Sequence, residues 1–99
     1  MKEKVITSLK SITDPELGID IVRLGLIREV IFGEEIVSGE YEYVTVIMTL
    51  TSAMCPFADV IVADVVDTIT LLEIGECKVE LTFDPPWEAT PELRLMLGL

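Results

Sequence analysis

The chain has 99 residues and a formal net charge of −11, from 18 acidic and 7 basic side chains and no histidine. Such a charge repels phosphate backbones and anionic lipid head groups, so neither nucleic acid nor a membrane surface is an expected partner. Hydrophobic residues make up 51% of the chain, enough for one compact core. We therefore expect a single domain over residues 1–99.

The segments that could direct the chain to a membrane do not fit that role. The longest apolar stretch, residues 57–72, is interrupted by three aspartates, and charged side chains are costly inside a bilayer. Residues 1–12 lack the continuous apolar core of a signal peptide. A cytoplasmic location is expected by default. Disulfides are rare in the cytosol, so Cys55 and Cys77 are expected as free thiols.

Two helix signals open the chain. Residues 2–12 place apolar side chains at helical spacing and predict a first helix. A capping-box spacing follows at Thr13 and Glu16, while Asp14 before Pro15 is an alternative N-cap. The next residues, 17–27, contain two glycines, which excludes a long helix. We expect a short turn or a single helical turn there, before the first strand.

Two segments rich in β-branched and aromatic residues, 26–32 and 43–51, predict an antiparallel hairpin. Their connection, residues 33–42, carries four glutamates and is longer than a tight turn, so a solvated and mobile loop is expected. Residues 56–73 exceed the usual length of a strand and carry aspartates near helical spacing. They predict a helix with Pro56 in its first turn.

The end of the chain predicts one more strand and one more helix. Residues 77–83 alternate apolar and polar side chains, and the strand ends before Pro85-Pro86 because proline removes ladder donors. Thr90-Pro91 then predicts the start of a short last helix, which ends at Leu97. The expected fold is α+β, a small three-stranded mixed sheet with helices packed on it, in the order α-β-β-α-β-α. If the second and third strands are parallel, a right-handed crossover joins them.

Cys55 is the strongest candidate for a reactive or metal-binding residue, because it immediately precedes Pro56. If the helix begins there, the sulfur lies at the N-cap, near free backbone N–H groups and the positive end of the helix dipole, which lowers a thiol pKa. Metal ligation and nucleophilic attack both require a thiolate. The alternative of a small buried hydrophobe stays open, because activation without histidine would need Arg23, Arg28 or Arg94 close by.

The remaining candidates have structural explanations of their own. Asp14 and Glu16 could line a pocket, tune a thiol or bind a metal, but capping alone explains them. Cys77 belongs to no Cys-x-x-Cys pair and is expected to be structural. Trp87 is either a docking residue or a plug at the edge of the core, and the plug is favoured. No phosphate loop, dinucleotide fingerprint or Ser/His/Asp set is present, so an enzyme is not expected, although a thiol-based activity stays open.

Four ordered segments together resemble a known family. They are Asp14 to Gly18, Ile21 to Ile27, Met48 to Thr51 leading to Cys55-Pro56, and Asp84 to Trp87. The resemblance is to the SufT/PaaD-like family of iron-sulfur cluster assembly domains and spans nearly the whole chain. It implies a compact α+β fold, a role in maturing iron-sulfur proteins, and a tendency to dimerise or to work within a larger complex. The chain departs from the family at two positions. It has Asp20 where the family often has Asn, and Arg23 where the family often has an acidic residue.

The resemblance also implies a site. It makes Cys55 the functional thiol and places Asp14, Glu16 and Thr51 around it. The leading hypothesis is an assembly factor or adaptor that delivers iron or a cluster to client proteins, with Cys55 as a transient metal ligand. No tightly bound cofactor is expected, because the chain cannot supply the usual four thiolates. Its partners would be assembly machinery or client apoproteins. The alternative is a metal-free docking module, accessory to a multicomponent oxygenase, that binds through Trp87 and an apolar surface.

Overall fold

The computed structural model describes residues 1–52, 54 and 56–98. Within these residues the expected α+β fold is confirmed, and the expected elements follow one another in the expected order. The helices are α1 (Lys2–Leu9), α2 (Ala58–Thr70) and α3 (Pro91–Leu97), and the strands are β1 (Ile27–Phe32), β2 (Glu35–Val37), β3 (Glu40–Tyr41), β4 (Tyr43–Met48) and β5 (Glu76–Leu81). None of these helices is long and apolar enough to cross a membrane.

The main sheet has the strand order β1-β4-β5. Strand β1 runs antiparallel to β4, with Val30 opposite Val46, which confirms the predicted hairpin. Strand β5 runs parallel to β4, with Val79 opposite Val46, so α2 lies within the crossover that joins the two. The central strand is therefore β4, and its carboxyl end is also the carboxyl end of β5.

The core lies against one face of this sheet. Val44, Val46 and Met48 of β4 are fully buried, and the residues between them are half-buried, as expected for a strand with one face in the core. Helix α2 buries Ile61, Val65 and Ile69 at helical spacing, while α1 buries Val5 and Leu9. The helix prediction for residues 56–73 is thereby confirmed in kind, because its buried side chains repeat with the helical period.

Residues 33–42 contain two short paired strands, where an irregular loop was expected. Strands β2 and β3 pair antiparallel there and form a separate two-stranded sheet, with Gly39 at a φ of 80° in the turn. Its base is tied to the rest of the molecule, because the Tyr41 N–H donates to the Ile74 carbonyl oxygen at 2.7 Å. The Tyr41 ring also lies 4.7 Å from the ring of Phe32, centre to centre. The predicted long loop is therefore replaced by a short β-hairpin.

The start of α2 corrects one prediction. The helix begins at Ala58, and its N-cap residue is Phe57, with φ −102° and ψ 11°. Pro56 lies in a turn that precedes the helix. The condition under which Cys55 would hold the N-cap position, a helix that begins at Pro56, is therefore not met. Cys55 itself lies outside the described residues.

The last helix begins as predicted. The Oγ1 of Thr90 accepts a hydrogen bond from the N–H of Leu93 at 3.2 Å, and Pro91 occupies the first turn, where a missing N–H does no harm. Gly98 closes the helix with a φ of 74°, a left-handed conformation that glycine adopts without strain. Both ends of α3 are therefore explained by local sequence.

Candidate functional site

A series of backbone hydrogen bonds joins several segments at one end of the main sheet. The Thr49 N–H donates to the Leu26 carbonyl at 2.8 Å, the Leu26 N–H to the Ile21 carbonyl at 3.0 Å, and the Ile21 N–H to the Ile12 carbonyl at 2.9 Å. This series links the carboxyl end of β4 to the turn before β1 and to the residues after α1. The acidic turn that follows Ile12 and the segment that follows Thr49 therefore lie at the same end of the sheet, which we call the site end.

Asp14 caps the acidic turn, residues 14–18. Its Oδ1 accepts hydrogen bonds from the N–H groups of Glu16 at 2.8 Å and Leu17 at 3.3 Å, and its carbonyl accepts from the Gly18 N–H at 2.8 Å. The alternative N-cap prediction is confirmed in this geometry. The predicted cap from Thr13 is wrong, because the Glu16 N–H that it would need donates to Asp14, and Thr13 lies exposed in an isolated β-bridge.

Asp14 is fully buried, and its Oδ2 has no hydrogen-bond partner in the described part of the chain. A buried polar atom without a partner costs roughly 1–3 kcal/mol. Capping uses only Oδ1, so capping alone does not explain why the second oxygen is buried. Oδ2 is therefore the atom through which Asp14 can accept a further hydrogen bond or bind a metal ion.

Glu16 and Thr51, two other predicted site residues, are more exposed to solvent than Asp14. Glu16 is exposed in the acidic turn, and Thr51 is half-buried three residues after the end of β4. Cys55 lies outside the described residues. Among the described residues, no group of three or more His, Cys, Asp or Glu side chains is arranged to hold a metal ion.

Cys77 has the properties of a structural cysteine. It is a free, half-buried thiol in β5, as expected. Burial removes the thiolate from water and raises the pKa of Cys77 to about 11. At neutral pH this side chain is therefore a protonated thiol, which is a poor metal ligand and a poor nucleophile.

Trp87 closes an edge of the core, which confirms the favoured interpretation. Its half-buried ring packs against the core cluster, and its Nε1–H donates to the Leu24 carbonyl oxygen at 2.6 Å. Beside it the Nη2 of Arg28 donates to the Pro85 carbonyl oxygen at 2.8 Å. A groove of about 470 Å³ runs along this contact, and Gly25, Pro86, Glu88 and Thr90 also line it. Sequence reasoning missed these partners, because nothing local signals a contact between residues so far apart in the chain.

The two residues that depart from the family pattern, Asp20 and Arg23, both have hydrogen-bond or ion-pair partners in the structure. Asp20 Oδ1 accepts a hydrogen bond from the Arg23 N–H at 2.8 Å, a bond that an asparagine oxygen accepts equally well. The Arg23 Nη2 lies 3.6 Å from Glu92 Oε1 in an exposed ion pair. The guanidinium groups of Arg23 and Arg28 thus have partners other than a thiol, and Arg94 is exposed on α3.

Comparison with known proteins assigns the chain to a family. The family model described as iron-sulfur cluster assembly protein matches residues 2–81. The chain belongs to this family. It is 38% identical over 88 residues to the Fe-S protein maturation auxiliary factor YitW of Bacillus subtilis (strain 168), covering 88% of this chain and 80% of that relative. It is 42% identical over 77 residues to the Fe-S protein maturation auxiliary factor SufT of Staphylococcus aureus (strain USA300), covering 77% of this chain and 81% of that one.

The fold of this iron-sulfur cluster assembly protein is shared with a solved structure. A conserved hypothetical protein from Thermotoga maritima superimposes with a TM-score of 0.81 at 40% identity, covering 100% of this chain and 95% of that one. The resemblance to SufT-like assembly domains is confirmed. The range that matches the family includes the acidic turn, Thr51 and Cys55 but ends before the segment that contains Trp87. The predicted site residues therefore all lie in the part of the chain that the family shares.

Proposed function

We propose that this protein is a maturation factor for iron-sulfur proteins that takes up iron or a cluster transiently and passes it to client proteins, with Cys55 as the thiol ligand. The observation that carries the proposal is the buried carboxylate of Asp14, whose Oδ2 has no partner among the described residues. It lies at the site end, where the segments shared with the family meet. The names of the relatives, which are maturation auxiliary factors rather than enzymes, point the same way.

The supply of ligands favours a transient complex. Iron-sulfur clusters are usually held by four cysteine thiolates. The chain has two cysteines, and the pKa of Cys77 at about 11 makes it a poor ligand at neutral pH. Cys55 remains as the one thiol for the cargo, so the other ligands would come from a donor or a client protein. A cluster that shares its ligands in this way is easily transferred.

The other three residues have supporting roles in this proposal. Asp14 offers a carboxylate oxygen to iron or to a hydrogen-bond donor beside it. Glu16, exposed in the same turn, adds negative charge that attracts ferrous iron, and the chain as a whole is acidic. Thr51 offers a hydroxyl group between the end of β4 and Cys55. The site then binds a cation weakly, as delivery requires.

Anaerobic reconstitution with iron and sulfide tests the proposal, and the second cysteine provides a matched control. Wild type and Cys77→Ser are expected to gain the same visible absorbance and iron content, and Cys55→Ser to lose most of both. The same proteins are then mixed with an apoprotein client, and the activity that the client recovers is measured. Equal iron content in wild type and Cys55→Ser would show that Cys55 is not the ligand.

The metal-free docking alternative has less support. Its main residue, Trp87, already donates its indole N–H to Leu24 and packs against the core, so little of it is left for a partner. The groove beside Trp87 is the surface that remains for this role. A pull-down that recovers the same partners with Cys55→Ser as with wild type would favour docking over cargo transfer.

A further inference from the structure

Strand β5 has backbone groups that are free to pair with another strand. It is an edge of the main sheet, and β4 is its only neighbour in the described part of the chain. The N–H of Thr82, just after β5, donates to the Met48 carbonyl of β4 at 2.9 Å. Because successive residues of a strand direct their backbone groups to alternate sides, those of Cys77, Val79 and Leu81 point away from β4. Their N–H and C=O groups therefore form the free edge.

This edge has neither a bulge nor a proline to block strand pairing, although it carries the charged side chains of Glu76, Lys78 and Glu80. Sheet edges are commonly protected by bulges, prolines, short length or charged side chains. The opposite edge, β1, has an irregular register between Ile27 and Glu29. Strand β5 keeps a regular register with β4 from Glu76 to Leu81 and contains no proline. Of the two edges, β5 is the one that can accept a further strand without a change of backbone conformation.

The core is also incompletely covered along β5. Cys77, Val79 and Leu81 lie opposite the buried residues of β4 and so share its core face. Yet Cys77 and Val79 are only half-buried, and Leu81 is 40% exposed. Phe83, two residues further on, is 41% exposed. An additional strand beside β5 would cover this apolar strip, which a single copy of the chain leaves in contact with water.

The charges on the other face of β5 indicate what that strand is. Lys78 and Glu80 are both exposed there, two residues apart and opposite in sign. If two copies of β5 pair antiparallel around Val79, Lys78 of each copy lies opposite Glu80 of the other, and Cys77 lies opposite Leu81. Both charge pairs are attractive. We propose that β5 pairs with β5 of a second copy in this register, which joins the two three-stranded sheets into one continuous sheet.

Other registers fit less well. Pairing around Lys78 places two lysines opposite each other and Glu76 opposite Glu80, so every charge pair becomes repulsive. Pairing around Cys77 brings Leu81 opposite Glu73, outside the strand, where the backbone has a positive φ of 54°. Only the register around Val79 pairs the outward backbone groups of Cys77, Val79 and Leu81 with one another. The same register satisfies the charges.

The antiparallel arrangement has a consequence for the candidate site. The site end is the carboxyl end of β4 and β5, so the two site ends lie at opposite ends of the joined sheet. Metal bound at one site end would not reach the site end of the other copy, so each copy would load independently. The inference does not depend on the proposed function, because a loss of metal binding leaves the strand pairing unchanged.

Sedimentation equilibrium over a wide range of protein concentration tests the pairing. It is done at physiological ionic strength, where the Debye length of about 8 Å screens the repulsion between two acidic chains. Wild type is expected to dimerise. Glu80→Lys turns two attractive pairs into two repulsive ones and should raise the dimer dissociation constant about tenfold or more. The double variant Lys78→Glu with Glu80→Lys exchanges the charges, restores both pairs and should restore the dimer.

The matched control is Glu29→Lys, which makes the same charge change at an exposed position on the β1 edge and should leave the dimer intact. A monomeric wild type would overturn the proposal. So would a dimer that Glu80→Lys leaves unchanged, or one that Glu29→Lys weakens as much as Glu80→Lys does. Circular dichroism confirms that each variant is folded.

A covalent trap keeps the proposal testable if Glu80→Lys does not fold. In the Cys55→Ser background, Leu81→Cys places the new cysteine opposite Cys77 of the second copy, at a Cα separation of about 5.5 Å that suits a disulfide. Mild oxidation should give a covalent dimer on a non-reducing gel. The matched variant Glu80→Cys, whose side chain points to the other face, should cross-link far less. Equal cross-linking by the two variants would contradict the register.

Discussion

The indole N–H of Trp87 donates a 2.6 Å hydrogen bond to the carbonyl oxygen of Leu24, which lies far earlier in the chain. A second bond, 2.8 Å from the Arg28 guanidinium to the Pro85 carbonyl, lies beside it. Together the two bonds hold the segment after β5 against the turn before β1. Residues beyond the range that matches the family thus help to support the site end.

Trp87→Phe should destabilise the protein, because it keeps an aromatic ring but leaves the Leu24 carbonyl without its donor. The expected loss is roughly 1–3 kcal/mol in the free energy of unfolding, measured with urea. Arg28→Met removes the more exposed bond to Pro85 and should cost less, about 0.5–1.5 kcal/mol. If Trp87→Phe is as stable as wild type, the bond to Leu24 contributes nothing.

Two substitutions of Asp14 should separate its structural role from its role toward cargo. Asp14→Ala removes the acceptor for the N–H groups of Glu16 and Leu17 and should cost about 1–2 kcal/mol. Asp14→Asn keeps an oxygen at the Oδ1 position for these two N–H groups, so it should lose less thermal stability than Asp14→Ala. Its iron content after reconstitution should nevertheless fall. A loss of stability in Asp14→Asn as large as in Asp14→Ala would show that Oδ2 has a stabilising partner.

Alkylation of Cys77 should be slow and should accelerate only at high pH. The measurement uses Cys55→Ser, in which Cys77 is the single thiol, and follows the rate of iodoacetamide reaction against pH. The midpoint is expected near the raised pKa of about 11 rather than at the ordinary value of 9.0. A midpoint near 9 would mean that the thiol is not desolvated.

The same raised pKa predicts the sign of a pH effect on stability. Between pH 9 and about 11 the unfolded thiol ionises while the folded one stays protonated, so the folded state binds more protons there. Stability is therefore fully present below pH 9 and falls as the pH rises through this window. Urea unfolding at several pH values should show this fall for wild type, and Cys77→Ser should remove its cysteine component.

Gly75→Ala should be more harmful than an alanine at another glycine with positive φ. At Gly75, where φ is 153°, an added Cβ would lie 2.6 Å from the Tyr41 carbonyl oxygen, a backbone atom that cannot turn away. At Gly98, where φ is 74°, nothing lies within 4 Å, so Gly98→Ala adds only backbone strain of about 1 kcal/mol. Gly75→Ala should cost at least about twice that in thermal unfolding. Equal losses would mean that the hairpin base moves freely.

The parts of the fold that were predicted correctly depend on neighbouring residues. The alternation of Val44, Val46 and Met48 and the Thr90-Pro91 start of α3 are local signals, and both are confirmed. The sequence predicts the start of α2 two residues early, because proline is compatible both with a first helical turn and with the turn before it. The residue pattern does not indicate the hairpin in residues 33–42, because its four glutamates are typical of a solvated loop.

For Asp14, the local hydrogen bonds are predictable from the sequence, but the surroundings of its side chain are not. The capping role of Asp14 is visible in its position before Pro15. Its complete burial is not visible, because carboxylates are mostly exposed and this one is enclosed through contacts between distant segments. The series of hydrogen bonds from Thr49 to Ile12 is likewise a product of tertiary packing. The link between these residues and iron-sulfur chemistry rests on the family resemblance alone and stays a prediction.

The parallel pairing of β4 with β5 bears on how the chain folds during synthesis. Strand β1 meets β4 across a short hairpin, whereas β5 can pair only after the whole of α2 has been made. Closing the longer loop costs more entropy, so this pairing should form late. Until Glu76 to Leu81 has emerged from the ribosome, β4 presents an open edge to other nascent chains. Any delay in translation after residue 75 would therefore prolong the interval in which misassembly and capture by chaperones compete with folding.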